Sequence, residues 1–511
     1  MNTMNFKMLV MSFLLTIELV AQNPCKEVVG YYPGWQWYDR NKLVNPATIR
    51  YQNYSILNYA FFKPESNGGI SLSDPWGDKN ILLGPINWAT SPAGYESSND
   101  FGNATYHHSS QKFSDYCHAK NVKLLISIGG WTYSGNFSSI AADPLKRAKF
   151  AADCQTMVQL YNLDGIDIDW EYPGYNDGTP EHNGVSADKQ NFTIFLQQIR
   201  NALTAIEPTM GKTLILTAAV GASPERQEDV EWNSVKDILD IINVMTYDFY
   251  GAFNSTTGHN APLYPAVGVN TGYSCSEAIN NLLTRGVPAN KITMGLAHYG
   301  RSTMCSNEVG LNVASNGEVD GNFSLDEGSP QYYNIIAQLS NYDYNWDDVS
   351  KVPYLTGKNG YKGFLSYDNE ASILEKAKFI NEKELKGGII WEITGDYIET
   401  FPGSGVVSNT PLTDVVNDEF CNSTSSSLSI KENNEENSIV AYPNPFKDYL
   451  LILCNSNSYY YLLTDESGRA IVSNSNSSIH EQIDTKELIP GIYFLKVISE
   501  EQVETVKIIK N

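Results

Sequence analysis

Eight short runs rich in β-branched and aromatic residues recur along the chain, at 27–32, 55–62, 122–128, 165–170, 213–220, 241–247, 291–297 and 387–393. Stretches of helical periodicity lie between several of them, most clearly at 144–160 and 188–206. Strands separated by helices pair in parallel, because each crossover returns the chain to the same end of the sheet. Eight such units predict an α/β fold, a (β/α)8 TIM barrel. The connection 300–365 is too long for a simple crossover, so an α+β insertion of about 302–365 is expected between strands seven and eight. The 63–112 connection is rich in Gly, Pro, Ser and Asn, and loops of that length on a barrel build its site.

Both ends of the chain read differently from its middle. Residues 1–21 place Lys7 before an apolar run at 8–20 and end in Leu19-Val20-Ala21, the pattern of a signal peptide on an exported protein. No other stretch approaches the ~18–20 apolar residues of a membrane span. At 422–438 the composition becomes NSTSSSLSIKENNEENS, a linker. Beyond it, 439–511 has the short strands and turn signals of a small all-β, sandwich-like domain, including runs at 449–453, 459–464 and 491–499. The barrel therefore occupies 22–421. Seven cysteines suit an oxidising compartment; a bridge between Cys25 and Cys421, which flank the barrel, and buried free thiols are both open readings.

Charge excludes some partners. With 35 Lys+Arg against 58 Asp+Glu the net charge is −23, which disfavours nucleic acid and anionic membranes alike. A monomer is expected. The 9 Trp, 32 Tyr and 19 Phe lean towards uncharged ligands with flat faces and hydroxyls. Seven histidines show no metal-ligand spacing, and His107-His108 in the long loop reads as solvated. No G-x-G-x-x-G or P-loop pattern occurs, so neither a metal nor a cofactor is expected.

The chemistry concentrates in Asp164-Gly-Ile-Asp167-Ile-Asp169-Trp-Glu171-Tyr-Pro173. Side chains alternate along a strand, so Asp167, Asp169 and Glu171 form one row while Ile166, Ile168 and Trp170 face the helices. Three carboxylates in a row inside a barrel cannot all ionise comfortably, and at least one pKa must rise. Glu171 comes last, at the strand end where barrel active sites lie. A proton kept there is what a general acid needs.

This run resembles the DxxDxDxE signature of glycoside hydrolase family 18, the chitinase family. Further stretches match in order: Gly30-Tyr31-Tyr32-Pro-Gly-Trp35, Asn58-Tyr-Ala-Phe61, Ser127-Ile-Gly-Gly-Trp131, Met245-Thr-Tyr247-Asp248, Tyr299-Gly-Arg301 and Gly388-Ile-Ile-Trp391-Glu392. The resemblance covers roughly 26–398 and includes the family's insertion domain. It implies a chitinase acting on chitin or chito-oligosaccharides, with Glu171 protonating the glycosidic oxygen. The substrate's N-acetyl carbonyl then attacks the anomeric carbon, an exception to the two-carboxylate scheme. Asp169 would bind the acetamido N–H and Asp167 would share the proton from beneath. Tyr247 would bind the acetamido oxygen, with Asp248 on the same sugar. Tyr31 and Ser127 would support the carboxylates, and Tyr299 and Arg301 would contact the neighbouring sugar. Trp391 would floor the cleft, Trp131 and Trp35 would stack further sugars, and Phe61 and Met245 would shape the wall. An endo-β-N-acetylglucosaminidase of glycoprotein glycans, or a lectin that binds without cutting, are the alternatives.

The tail runs Tyr442-Pro-Asn-Pro-Phe446, Asp465-Glu-Ser-Gly-Arg469, Leu488-Ile-Pro-Gly-Ile-Tyr493 and Val506-Lys-Ile-Ile-Lys510. It resembles the type IX secretion sorting domain of Bacteroidota, which implies engagement of that export machinery and a secreted or cell-surface location. A carbohydrate-binding sandwich is the rival, and the tail offers it no Trp.

Overall fold

The structure, a computed structural model, describes residues 25–422 and 439–510, apart from 109, 267–271, 327, 443, 448, 455–458, 466–468, 477–479 and 500–502. The expected signal peptide and most of the expected linker lie outside the described residues. Eight parallel strands, Glu27–Pro33, Ile56–Pro64, Lys123–Gly129, Gly165–Asp169, Ile215–Gly221, Ile241–Met245, Ile292–Ala297 and Gly387–Trp391, each pair with the next. The eighth pairs with the first, Glu27 opposite Gly387 and Gly30 opposite Ile390, and this closes the barrel. Several strands stop short of their expected ends. The fourth ends at Asp169, because its partner there is Gly129, where a φ of 117° turns the third strand out of the ladder. A Cβ on Gly129 would also lie 2.1 Å from the Asp169 carbonyl oxygen, so only glycine fits.

The helices that cover the barrel carry their own start and stop signals. Pro144–Tyr161 opens on Asp143, whose side chain accepts from the amides of Leu145 and Lys146, and closes on Asn162 in the left-handed region. Asp188–Met210 buries Phe192, Phe195, Leu196, Ile199 and Leu203, one stripe at helical spacing. The outward strand residues meet these stripes; Trp170 packs edge-on against Phe192 with centroids 5.7 Å apart. Among the described residues, no helix is long and apolar enough to cross a membrane.

Between the seventh and eighth strands, Tyr342–Asp347, Val352–Gly357, Gly363–Ser366 and Arg301–Met304 form an antiparallel sheet beside the helix Tyr332–Gln338. Cys25 and Cys421 form a disulfide, while Cys117, Cys154, Cys275 and Cys305 are buried thiols. The reading of His107 as solvated is corrected. It is buried, its Nε2 2.7 Å from the Tyr95 hydroxyl and its Nδ1 2.6 Å from the Gly84 carbonyl, because the long loop packs on itself. His108 is exposed. In the tail, strands Ile439–Tyr442, Tyr449–Cys454 and His480–Asp484 face a second sheet of Ala470–Asn476, Tyr459–Asp465, Gly491–Ser499 and Val503–Lys510. Leu450, Ile452, Leu463, Leu495, Val497 and Ile508 pack together in its core.

Candidate active site

Strand register decides what each carboxylate meets. Asp167 stands between Ser127 on the third strand and Thr217 on the fifth. Its Oδ2 accepts from the Tyr31 hydroxyl at 2.9 Å and the Ser127 hydroxyl at 2.7 Å. Its Oδ1 accepts from Asn243 Nδ2 at 3.2 Å and from the Thr217 hydroxyl. Burial raises the pKa of Asp167, and these four donors pull it back.

One rung higher, Asp169 stands between Gly129 and Ala219, which have no side-chain donor to offer. Its Oδ1 is buried without a hydrogen-bond partner among the described residues. Burial, then the charges of Glu171 and Asp167, push its pKa well above the carboxylate range. Glu171, just beyond the strand, is held through its backbone, whose N–H donates to the Ser134 hydroxyl at 2.8 Å. Burial lifts its carboxyl to about 7, with the Asp248 charge adding and the Tyr172 hydroxyl and Arg301 opposing. The top of the row thus keeps a proton near neutrality.

Above the row opens a cleft of about 970 Å³. It is lined by Asp169, Glu171, Tyr247, Asp248, Met245, Arg301, Trp35, Phe61, Trp131 and Trp391, ten of the fourteen residues expected at the site. Phe61 stacks on Trp391 with centroids 5.6 Å apart, Trp35 sits 6.3 Å from Trp391, and Tyr31 packs 5.7 Å beneath it. Trp35 and Trp131 remain about half exposed, at 50% and 51%. Tyr247 is buried with its ring edge-on to Tyr299. Asp167, Ser127 and Tyr31 lie below the cleft, in the barrel. Tyr299 and Arg301 turn on Asp248, the hydroxyl at 2.5 Å and Nε at 2.7 Å from its Oδ1. They form one polar cluster rather than independent contacts.

Sequence reasoning passed over Thr217, Asn243, Ser134, Tyr172, Phe253, Tyr175 and Arg226. Asn243 was within reach of it: two residues before Met245 on one strand, it must share the inward face. The cleft residues Phe253, Tyr175 and Arg226 lie outside the barrel strands, and no periodicity marks them. Among the described residues, no group of three or more His, Cys, Asp or Glu side chains has metal-binding geometry.

The chain matches known proteins along most of its length. The model of glycosyl hydrolases family 18 matches residues 27–396, and that of the secretion system C-terminal sorting domain matches 440–511. Chitinase A1 of Niallia circulans is 33% identical over 439 residues, 77% of this chain and 60% of its own length. This chain therefore spans under two thirds of that relative. Endochitinase 1 of Metarhizium robertsii is 30% identical over 72% of this chain and 80% of its own. The structure of chitinase ChiA74 from Bacillus thuringiensis superposes with a TM-score of 0.66 at 26% identity, covering 96% of this chain and 85% of that one.

Proposed function

The chain belongs to glycosyl hydrolases family 18, and from that membership we propose that it is a secreted chitinase cutting β-1,4 links between N-acetylglucosamine units with net retention. The observation that carries this reading is Glu171, its carboxyl raised to about 7 at the mouth of an aromatic-floored cleft. At or below neutral pH it holds the proton that the departing glycosidic oxygen needs. The substrate's acetamido carbonyl is the nucleophile, so the protein supplies none. Asp169, buried beneath with an unpartnered oxygen, is suited to accept from the acetamido N–H. Once the row has given up its shared proton, a carboxylate there would stabilise the oxazolinium ion, whose positive charge forms as the bond breaks. Tyr247 donates to the acetamido oxygen, and the Asp248–Tyr299–Arg301 cluster binds hydroxyls of the adjoining sugars. Trp391 with Phe61 forms a flat apolar floor for the sugar being cleaved.

The tail directs the enzyme to the type IX export machinery, as its family match supports. The decisive test of the chemistry is Glu171→Gln on soluble chito-oligosaccharides: hydrolysis is expected to collapse while binding persists. Hydrolysis surviving in that variant defeats the reading. Release of sugars from a high-mannose glycoprotein but not from chito-oligosaccharides would assign the endo-β-N-acetylglucosaminidase activity instead. For the tail, a chain ended after Ser438 should remain inside a type IX-competent host; its export overturns the sorting role.

A further inference from the structure

Trp131 is half exposed, yet its backbone is held from below by a side chain outside the barrel. Residues 176–183 form a small hairpin closed by a bridge between Asn176 and Asn183, with mutual backbone bonds among Asp177, Thr179 and His182. Every residue of that hairpin is exposed except His182, which is 5% exposed. The hairpin sits directly on the segment after Trp131: a Cβ on Gly135 would lie 2.4 Å from the Pro180 carbonyl oxygen. His182 Nε2 lies 3.2 Å from the Trp131 carbonyl oxygen, and the two rings approach to 3.9 Å between centroids. Its Nδ1 lies 3.0 Å from Asp177 Oδ2.

Both ring nitrogens therefore face acceptors. Asp177 Oδ2 also accepts from the Tyr175 hydroxyl at 3.4 Å, so the ring is wedged between a carboxylate of its own hairpin and the Trp131 carbonyl. Thr179 also lies 3.2 Å from Nδ1, but its hydroxyl is engaged with Asp177 Oδ1 at 2.6 Å. Asp177 shares the hairpin with Glu181, and its carboxyl is held down to about 2, first by the Thr179 hydrogen bonds and further by His182. Arg226, from the helix Pro224–Glu228, lies beyond the Tyr175 ring, 4.2 Å above it, and faces Asp229 at 3.9 Å.

We infer that His182 is a positioning residue: bridging Asp177 and the Trp131 carbonyl, it pins the Trp131 platform and so governs binding of substrate that extends beyond the scissile bond. This builds on the chitinase reading, in which Trp131 stacks a sugar. Loosening the clamp should cost affinity for long substrates more than it costs the bond-breaking step.

The test uses the full chain in a Glu171→Gln background, with chitohexaose as the probe and tryptophan fluorescence as the readout. Adding His182→Ala should raise the dissociation constant about fivefold, or ~1 kcal/mol. It should also change the Trp131 emission of the free protein, identified by difference against Trp131→Phe. His182→Gln, which keeps an N–H for the Trp131 carbonyl, should recover part of the affinity. In the active enzyme the loss from His182→Ala should fall on KM rather than on kcat. An unchanged dissociation constant and unchanged emission in both His182 variants overturn the clamp. Failure of the Glu171→Gln parent to bind chitohexaose overturns the chitinase reading instead, and the emission difference still reports on the clamp.

Discussion

Asp167 and Asp169 are the same residue type two positions apart on one strand, yet the barrel treats them in opposite ways. The lower carboxylate is flanked by Ser127 and Thr217 and takes four hydrogen bonds. The upper one is flanked by Gly129 and Ala219 and has an oxygen with no hydrogen-bond partner among the described residues. Both are buried, so desolvation alone does not separate them. The donors on neighbouring strands do. They let charge rest at the foot of the row and leave the proton to be shared at the top, against Glu171, where a substrate can reach it.

That contrast can be broken at several points, in descending order of effect. Removing the acid altogether, Glu171→Gln, should lower kcat on chito-oligosaccharides about 10²–10⁴-fold, the usual worth of a positioned general acid. Next comes pH. The acid form of Glu171 is lost as pH rises through about 7, so kcat/KM should fall towards tenfold per pH unit above it. A profile flat to about pH 9, some two units above that value, would show that the proton is not held where the buried row predicts.

The sharpest comparison is one substitution made on both rungs and followed by thermal unfolding. Asp167→Asn should destabilise by about 1–3 kcal/mol, because either amide orientation turns an NH2 towards two donors. Asp169→Asn should stabilise. A carboxyl whose folded pKa is raised costs stability once pH exceeds its unfolded value, and the cost grows as pH climbs through the folded value. The gain from Asp169→Asn should therefore be larger at about pH 8 than at about pH 5. Equal signs for the two variants would mean that the flanking residues do not set the difference. The smallest effect is expected from Thr217→Val, which removes one of four donors and should cost about 1 kcal/mol.

Much of this was legible in the chain before any coordinates. Strict alternation puts Asp167, Asp169 and Glu171 on one face, and eight runs separated by helices require parallel closure; both follow from covalent geometry. Trp391 was expected in the cleft on the family resemblance, and it lines the cleft from the end of the eighth strand. Other features were not. Spacing left Cys25–Cys421 open among several pairings, since the proximity of two cysteines 396 residues apart is a product of barrel closure. His107 reads as a loop histidine and is buried, because loop packing has no sequence period. Nothing in the sequence singles out His182, and only the seating of its hairpin on Gly135 brings it to Trp131.

The sequence by itself therefore determined the row of acids and the strand and helix units of the barrel that contains it. All of these depend on periodicities of 2 and 3.6 that every strand and helix obeys. Only the tertiary structure decided which acid is satisfied and which keeps a proton. That depends on register between strands, where a shift of one residue would exchange Thr217 for Ala218, and no single strand carries that information.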